Sequence, residues 1–154
     1  MKKRRQPRGI RSNNPGNIER NHIKWQGMSK DQSADERFCV FDEPVYGIRA
    51  LMKILLTYFR KYDLNTAESI INRWAPPHEN DTKAYAKAVA KRVGASTIST
   101  PIRVDRPKTL VRLAIAIVMH ENGHPKNFDL DIQPPEGYWY PMDMYHEAAK
   151  LALK

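Results

Sequence analysis

Leu110 to Gly123 reads LVRLAIAIVMHENG, an apolar run that ends on a carboxylate and then a glycine. With helical spacing, a run of this length makes a core helix, and Asn122 and Gly123 supply a left-handed exit from it. Glu121 then falls in the last turn, where the helix macrodipole is negative and disfavours a carboxylate. Burial against Ile117 and Val118 raises its pKa further, by desolvation. A carboxyl kept partly protonated near neutral pH is what cleavage of a glycosidic bond asks of its general acid. The plainer alternative is an exposed Glu that closes a helix.

Two further polar clusters flank predicted helix ends. One is the loop Asn13-Asn14-Pro15-Gly16-Asn17; the other is RWAPPHENDT, Arg73 to Thr82, which leads into Tyr85. They lie far from HENGH (His120 to His124) in the chain, so only the fold can unite the three. Asn14 and Asn17 offer amides that bind substrate or orient Glu121, or that simply serve the turn. Tyr85 offers a hydroxyl to the acid or to a sugar, or fills core. Trp25 and Trp74 offer faces on which sugars stack, as well as core volume. Glu79 is either a second carboxylate or a tie between the Pro76-Pro77 loop and a helix start.

HENGH also matches the His-Glu-x-x-His pattern of zinc peptidases through His120, Glu121 and His124. That site needs a helix that continues through the motif. Gly123 followed by Pro125 is expected to end it before His124 can face His120, so no metal and no other cofactor is expected. There is no nucleophile elbow and no phosphate-cradling glycine loop.

The elements that must position these groups are mostly helical. Glu43-Pro44 precedes a helix over Val45 to about Tyr62, with Ile48, Leu51, Met52, Leu55 and Tyr58 or Phe59 on one face. Asn65-Thr66 caps a second helix through Ile70, Ile71 and Trp74, stopped by Pro76-Pro77. Asp81-Thr82 opens a third, carrying Tyr85, Val89 and Val93 to Gly94. Pro107 starts the fourth, which carries Glu121, and Pro141 to Leu153 forms the last. IKWQG and RFCVF are short strands or extended segments. The expected fold is mainly α, a single helical globule over residues 9–154 with at most a small β-hairpin. A basic flexible tail over residues 1–8 precedes it.

Composition limits the partners. The chain has 154 residues, 41% of them hydrophobic and 28% charged, enough for one cored domain. No apolar run approaches the roughly 20 residues of a membrane span. The start, MKKRRQPRGIR, has no apolar segment behind it, so no secretory signal is expected. On that reading synthesis is cytoplasmic and export needs a carrier, a pore or a particle. The net charge of +9 calls for an acidic partner. Without an RNA-binding, zinc-finger or basic-zipper signature, nucleic acid is not the expected one. Cys39 lies in an apolar run and is expected to be buried and inert.

Read together, the clusters resemble the lysozyme-like glycan-cleaving superfamily, especially soluble lytic transglycosylases and flagellar-type glucosaminidases. In those families an apolar helix ends in Glu-Ser-Gly or Glu-Ser-Xaa, and VMHENG (Val118 to Gly123) is similar, with Asn122 in place of serine. PGNIE (Pro15 to Glu19) resembles their cleft-lining Gly-Leu-Met-Gln or Phe-Gly-Ile-Lys loop. WQG (Trp25 to Gly27) and FCVF (Phe38 to Phe41) are similar to glucosaminidase segments. IINRWAPP followed by NDTKAYAKAV looks like a drifted Ala-Tyr-Asn-x-Gly-Pro and Glu-Thr-x-x-Tyr-Val-x-x-Val pair. That places Tyr85 at the tyrosine facing the acid. Here the Glu helix comes last, so the match implies a circular permutation, which nearby termini tolerate. The chain is more closely similar to small phage and prophage proteins, associated with virions or cell-wall lysis, that open with RGIRxNNPGNI and carry RWAPPxEN.

The resemblance implies an α+β lysozyme-like domain that cleaves the glycan strand of bacterial peptidoglycan, with Glu121 as general acid. Asn14, Asn17, Tyr85, Trp25 and Glu79 would bind substrate or support the acid. Lytic transglycosylases need no second carboxylate; hydrolases do, and Glu19, Asp31, Asp35, Glu36, Glu43 and Glu79 are candidates. The protein would act in the periplasm or cell wall after delivery by a lysis pore or virion, its basic N-terminus suited to anionic envelope polymers. The alternatives are a non-catalytic virion or wall-binding protein, a zinc peptidase, and a basic nucleic-acid-binding domain.

Overall fold

The computed structural model describes residues 5–78, 81–134 and 137–154. Local signals set the helix ends. In α2 (Pro44–Tyr62) Pro44 takes the first helical position, where its missing N–H costs nothing. Its apolar stripe, Ile48, Leu51, Met52, Leu55 and Leu56, is buried. In α3 (Ala67–Trp74) the Thr66 hydroxyl accepts from the Ser69 N–H at 3.0 Å, and the Ser69 side chain caps Thr66 in return. Asp81 caps α4 (Thr82–Val93) by accepting from the Ala84 N–H, and Gly94 ends it in the left-handed conformation. Pro107 opens α5 (Pro107–Asn122), and α6 (Met142–Leu153) closes the described chain.

The long apolar run in α5 has a structural reason. This helix packs against α2, α4 and α6 and against the short α1 (Arg8–Arg11). Leu110, Val111 and every residue from Leu113 to Val118 are therefore buried, not just one stripe. α6 lies across α2, and α3 lies against α4. Among the described residues the fold is mainly helical, as expected, and no helix is long and apolar enough to cross a membrane.

The short segments between α1 and α2 and the N-terminal residues complete the fold. Of the two alternatives for IKWQG and RFCVF, short strands or extended segments, the second holds: among the described residues only isolated antiparallel bridges occur, Glu19 to Phe38 and Met28 to Phe41. Scattered backbone bonds join these segments, such as the Arg20 N–H to the Arg37 carbonyl at 2.8 Å, and side chains add to them. The Gln32 amide accepts from the Val40 N–H and donates to the Val40 carbonyl, both at 2.8 Å, and that carbonyl also accepts from the Ser29 N–H at 3.0 Å. Arg8, expected at the end of a loose tail, is instead the first residue of α1. Its guanidinium forms a two-pronged pair with the buried Asp35 at 2.6 and 2.7 Å. Asp35 also accepts from the Arg37 and Phe38 N–H groups, and the Arg8 pairing holds its carboxyl well below the usual range.

The loop Ser12 to Ile18 lies against α2 with no room to spare. A Cβ on Gly47 would fall 1.9 Å from the Asn13 carbonyl oxygen. Gly47→Ala should therefore lower stability by about 3 kcal/mol or more, because the obstacle is backbone and cannot rotate away. Urea unfolding reads this directly; a midpoint equal to wild type would show that helix and loop do not touch in solution.

Candidate functional site

The site is built where the C-terminal end of α5 meets that loop. Asn122, 4% exposed, donates from its amide to the Pro15 carbonyl at 2.7 Å and to the Val118 carbonyl at 2.9 Å. One side chain thus closes the last turn of α5 and fixes it to the Pro15-Gly16-Asn17 turn. Gly123 leaves the helix at φ 76°, ψ −177°. The positive φ is as expected, but the extended ψ is not a left-handed helical cap; it belongs to a region open essentially to glycine. The Trp139 indole donates to the Gly123 carbonyl at 2.8 Å and pins the exit.

This geometry aims Glu121 inward. Its Oε2 accepts from the Tyr85 hydroxyl at 3.3 Å. Burial pushes the Glu121 carboxyl above its ordinary range, and hydrogen bonds from Tyr85 and Asn17 pull the other way. Tyr85 is fully buried on α4, and desolvation together with the nearby carboxylate holds its hydroxyl protonated across the accessible pH range. It remains a donor to Glu121, and Trp74 lies within hydrogen-bonding reach of its oxygen. The His120 ring stacks on Tyr85, centroids 3.5 Å apart and planes 17° from parallel. Desolvation lowers the His120 pKa, which favours a neutral imidazole beside the carboxyl.

Glu121 opens into a cleft of about 430 Å³. One wall is polar: Asn17, Glu19 and Asn21 from the loop, with Arg37 and Phe38. The opposite wall is largely apolar: Ile54 and Tyr58 from α2, then Trp74, Ala75 and Pro76 at the end of α3. Thr82 shapes that second wall by donating to the Ala75 carbonyl at 2.7 Å, which folds the Pro76-Pro77 loop onto α4.

Of the residues picked from sequence, Glu121, Asn17 and Tyr85 come together, and Trp74 joins them. Asn14 does not face the cleft. It is fully buried, donates to the Ile18 and Cys39 carbonyls and accepts from the Ile18 N–H. It supports the loop and cannot touch substrate. Trp25 is half-buried against the core and lines no part of the cleft. Glu79 lies outside the described residues. Among the described carboxylates considered as second acids, Glu19 alone lines the cleft, whereas Asp35 is held by Arg8. For the zinc pattern, His124 lies beyond the helix, its Nδ1 accepting from the Lys126 N–H. Among the described residues no three His, Cys, Asp or Glu side chains are grouped to hold a metal ion. Arg37, Phe38, Ile54 and Tyr58 escaped sequence reasoning. Tyr58 reads from its helical spacing as a core position on α2.

Fold and site define a mainly helical protein with one desolvated carboxyl in a two-sided cleft. No protein-family model matches the chain. Over 90 residues it is 46% identical to Protein P5 of Pseudoalteromonas phage PM2. The match covers 56% of this chain and 56% of that protein, so the chain spans little more than half of its phage relative.

Two measurements probe the site. A carboxyl whose pKa rises on folding stabilises the fold fully below its unfolded value, near 4.5. That contribution is lost as pH rises through the folded value. Glu121→Gln, always neutral, should therefore melt above wild type near pH 7, the gap closing as the pH falls toward 4.5; equal melting at pH 7 would refute desolvation of Glu121. Asn122→Ala removes both of its hydrogen bonds and should cost about 1–3 kcal/mol in urea unfolding. An effect within error would show that the Pro15 link does not hold the site together.

Proposed function

We propose that this protein cleaves the glycan strand of bacterial peptidoglycan, with Glu121 as the general acid. The observation that carries the reading is the setting of Glu121: a desolvated carboxyl at a cleft, hydrogen-bonded by a tyrosine that stays protonated and by Asn17. Desolvation retains the proton toward neutral pH, and the leaving glycosidic oxygen takes it as the bond breaks. Asn17 and Tyr85 act as positioning residues that hold the carboxyl's orientation. The apolar wall of Ile54, Tyr58 and Trp74 suits the C–H face of a sugar ring, and the polar wall suits its hydroxyl and amide edges.

In the lytic transglycosylase form the sugar's own N-acetyl group assists, the 6-hydroxyl attacks, and Glu121 takes back a proton as base. Each strand cut then gives one anhydro end and no water is consumed. Hydrolysis is the second reading, and Glu19 in the same cleft favours it by supplying a second carboxylate. The lysozyme-like ancestry and the permuted order of motifs belong to this proposal, as does action in the periplasm or cell wall after release from a virion or through a lysis pore. The phage origin of the 46% identical relative supports that setting.

Purified wild type and Glu121→Gln, incubated with peptidoglycan, should differ by at least about 10²-fold in the release of soluble fragments. Mass spectrometry separates anhydromuramyl from reducing ends, and so transglycosylase from hydrolase. Wall binding with no fragments from wild type would overturn the enzyme reading and leave a binding module.

A further inference from the structure

The cleft holds a charged pair that the lytic transglycosylase reading leaves without a role. Arg37 and Glu19 form an ion pair on the polar wall, their side chains 62% and 60% exposed. The Arg37 guanidinium lies over the Phe38 ring at 5.0 Å, and Arg8 covers the same ring at 4.6 Å. Arg8 is itself fixed by Asp35. Arg37 is therefore presented at the cleft by a stack that begins in the buried Asp35 pair. Its bond to Glu19 is solvent-exposed, and exposed pairs contribute only about 0–1 kcal/mol. A carboxylate arriving with a ligand can take Glu19's place and meet the guanidinium in two-pronged fashion.

N-acetylated sugar rings are neutral, so an arginine waiting in a glycan cleft has nothing to pair with on the rings themselves. We propose that Arg37 forms a carboxylate subsite for the acidic substituent of the muramyl sugar, with Glu19 as its resting counter-ion. The inference rests on the peptidoglycan reading above and names its substrate: strands that carry carboxylates, not neutral N-acetylglucosamine polymers. Two sources share that chemistry, the stem peptide and the lactyl carboxylate bared when the stem is removed.

The test uses the full chain carrying Glu121→Gln, so that strands stay intact, alone or with Arg37→Ala, Arg37→Lys or Glu19→Gln. Calorimetric titration compares three ligands of equal length: stem-bearing strands, amidase-treated strands and N-acetylglucosamine oligomers. Carboxylate-bearing strands should bind roughly tenfold tighter than the neutral oligomer, and the tighter of the two identifies the source. Arg37→Ala should erase the difference and Arg37→Lys restore part of it. Glu19→Gln should strengthen carboxylate binding, because it releases Arg37; a purely structural pair would not do this. Equal affinity for all three ligands, or a uniform loss with Arg37→Ala, overturns the subsite. Cleavage of the same strands by the unsubstituted protein separates the two claims. Cleavage without carboxylate preference sinks the subsite alone, preference without cleavage sinks the enzyme reading alone, and no binding at all sinks both.

Discussion

The site depends on how tightly the loop from Ser12 to Ile18 is held between two helices. It contains no regular structure, so its backbone groups need partners from elsewhere. Asparagines supply them: Asn14 takes the Ile18 N–H and carbonyl and the Cys39 carbonyl, and Asn122 reaches from α5 to the Pro15 carbonyl. On the far side Gly47 lets α2 come against the Asn13 backbone, closer than any side chain allows. Asn13 and Asn17 take the left-handed backbone that such a bend needs, at φ 55° and 52°, a region asparagine tolerates better than most residues. A loop fixed at these points holds Asn17 within hydrogen-bonding reach of Glu121.

Electrostatics at the end of α5 follow from that packing. The macrodipole and burial both resist a negative charge at Glu121. Water would normally relieve such a charge, but here the Tyr85 hydroxyl and the Asn17 amide do part of that work. The balance is set by rigid neighbours, since Tyr85 is locked in the core and stacked on His120. A carboxyl whose proton affinity depends on fixed dipoles responds little to the thermal motion of its surroundings. That is the property proton donation during bond cleavage calls for.

The segment from Glu19 to Phe41 is held differently again. A few backbone bonds cross it, from the Arg20 N–H to the Arg37 carbonyl and from the Ser29 N–H to the Val40 carbonyl, and Gln32 and Asn14 add side-chain bonds to the Val40 and Cys39 backbone. The buried Asp35 collects Arg8 and two backbone N–H groups around one carboxylate. Arg37 and Phe38 line the cleft beside Glu19, with Phe38 bridged to Glu19 through the backbone. In this way polar side chains shape one wall of the site, while helix packing shapes the other.

The amino-acid sequence alone determined the long helices α2 to α6 and most of their ends, though not the short α1. Pro44 and Pro107 at first positions, Thr66 and Asp81 as caps and Gly94 as a left-handed stop act within a few residues, so their geometry is local. It also singled out Glu121, Asn17 and Tyr85, because a carboxyl after an apolar run and amides in a Pro-Gly loop are unusual locally. Tertiary structure alone decided which residues share the cleft. It sent Asn14 and Trp25 inward, showed that Asn122 bonds to a carbonyl 107 residues away, and made cleft walls of Tyr58 and Arg37. Those outcomes depend on contacts between segments distant in the chain, and their free energy exists only once both partners are in place. No local pattern of residues encodes a close approach such as Gly47 to Asn13; it appears when helix and loop are packed.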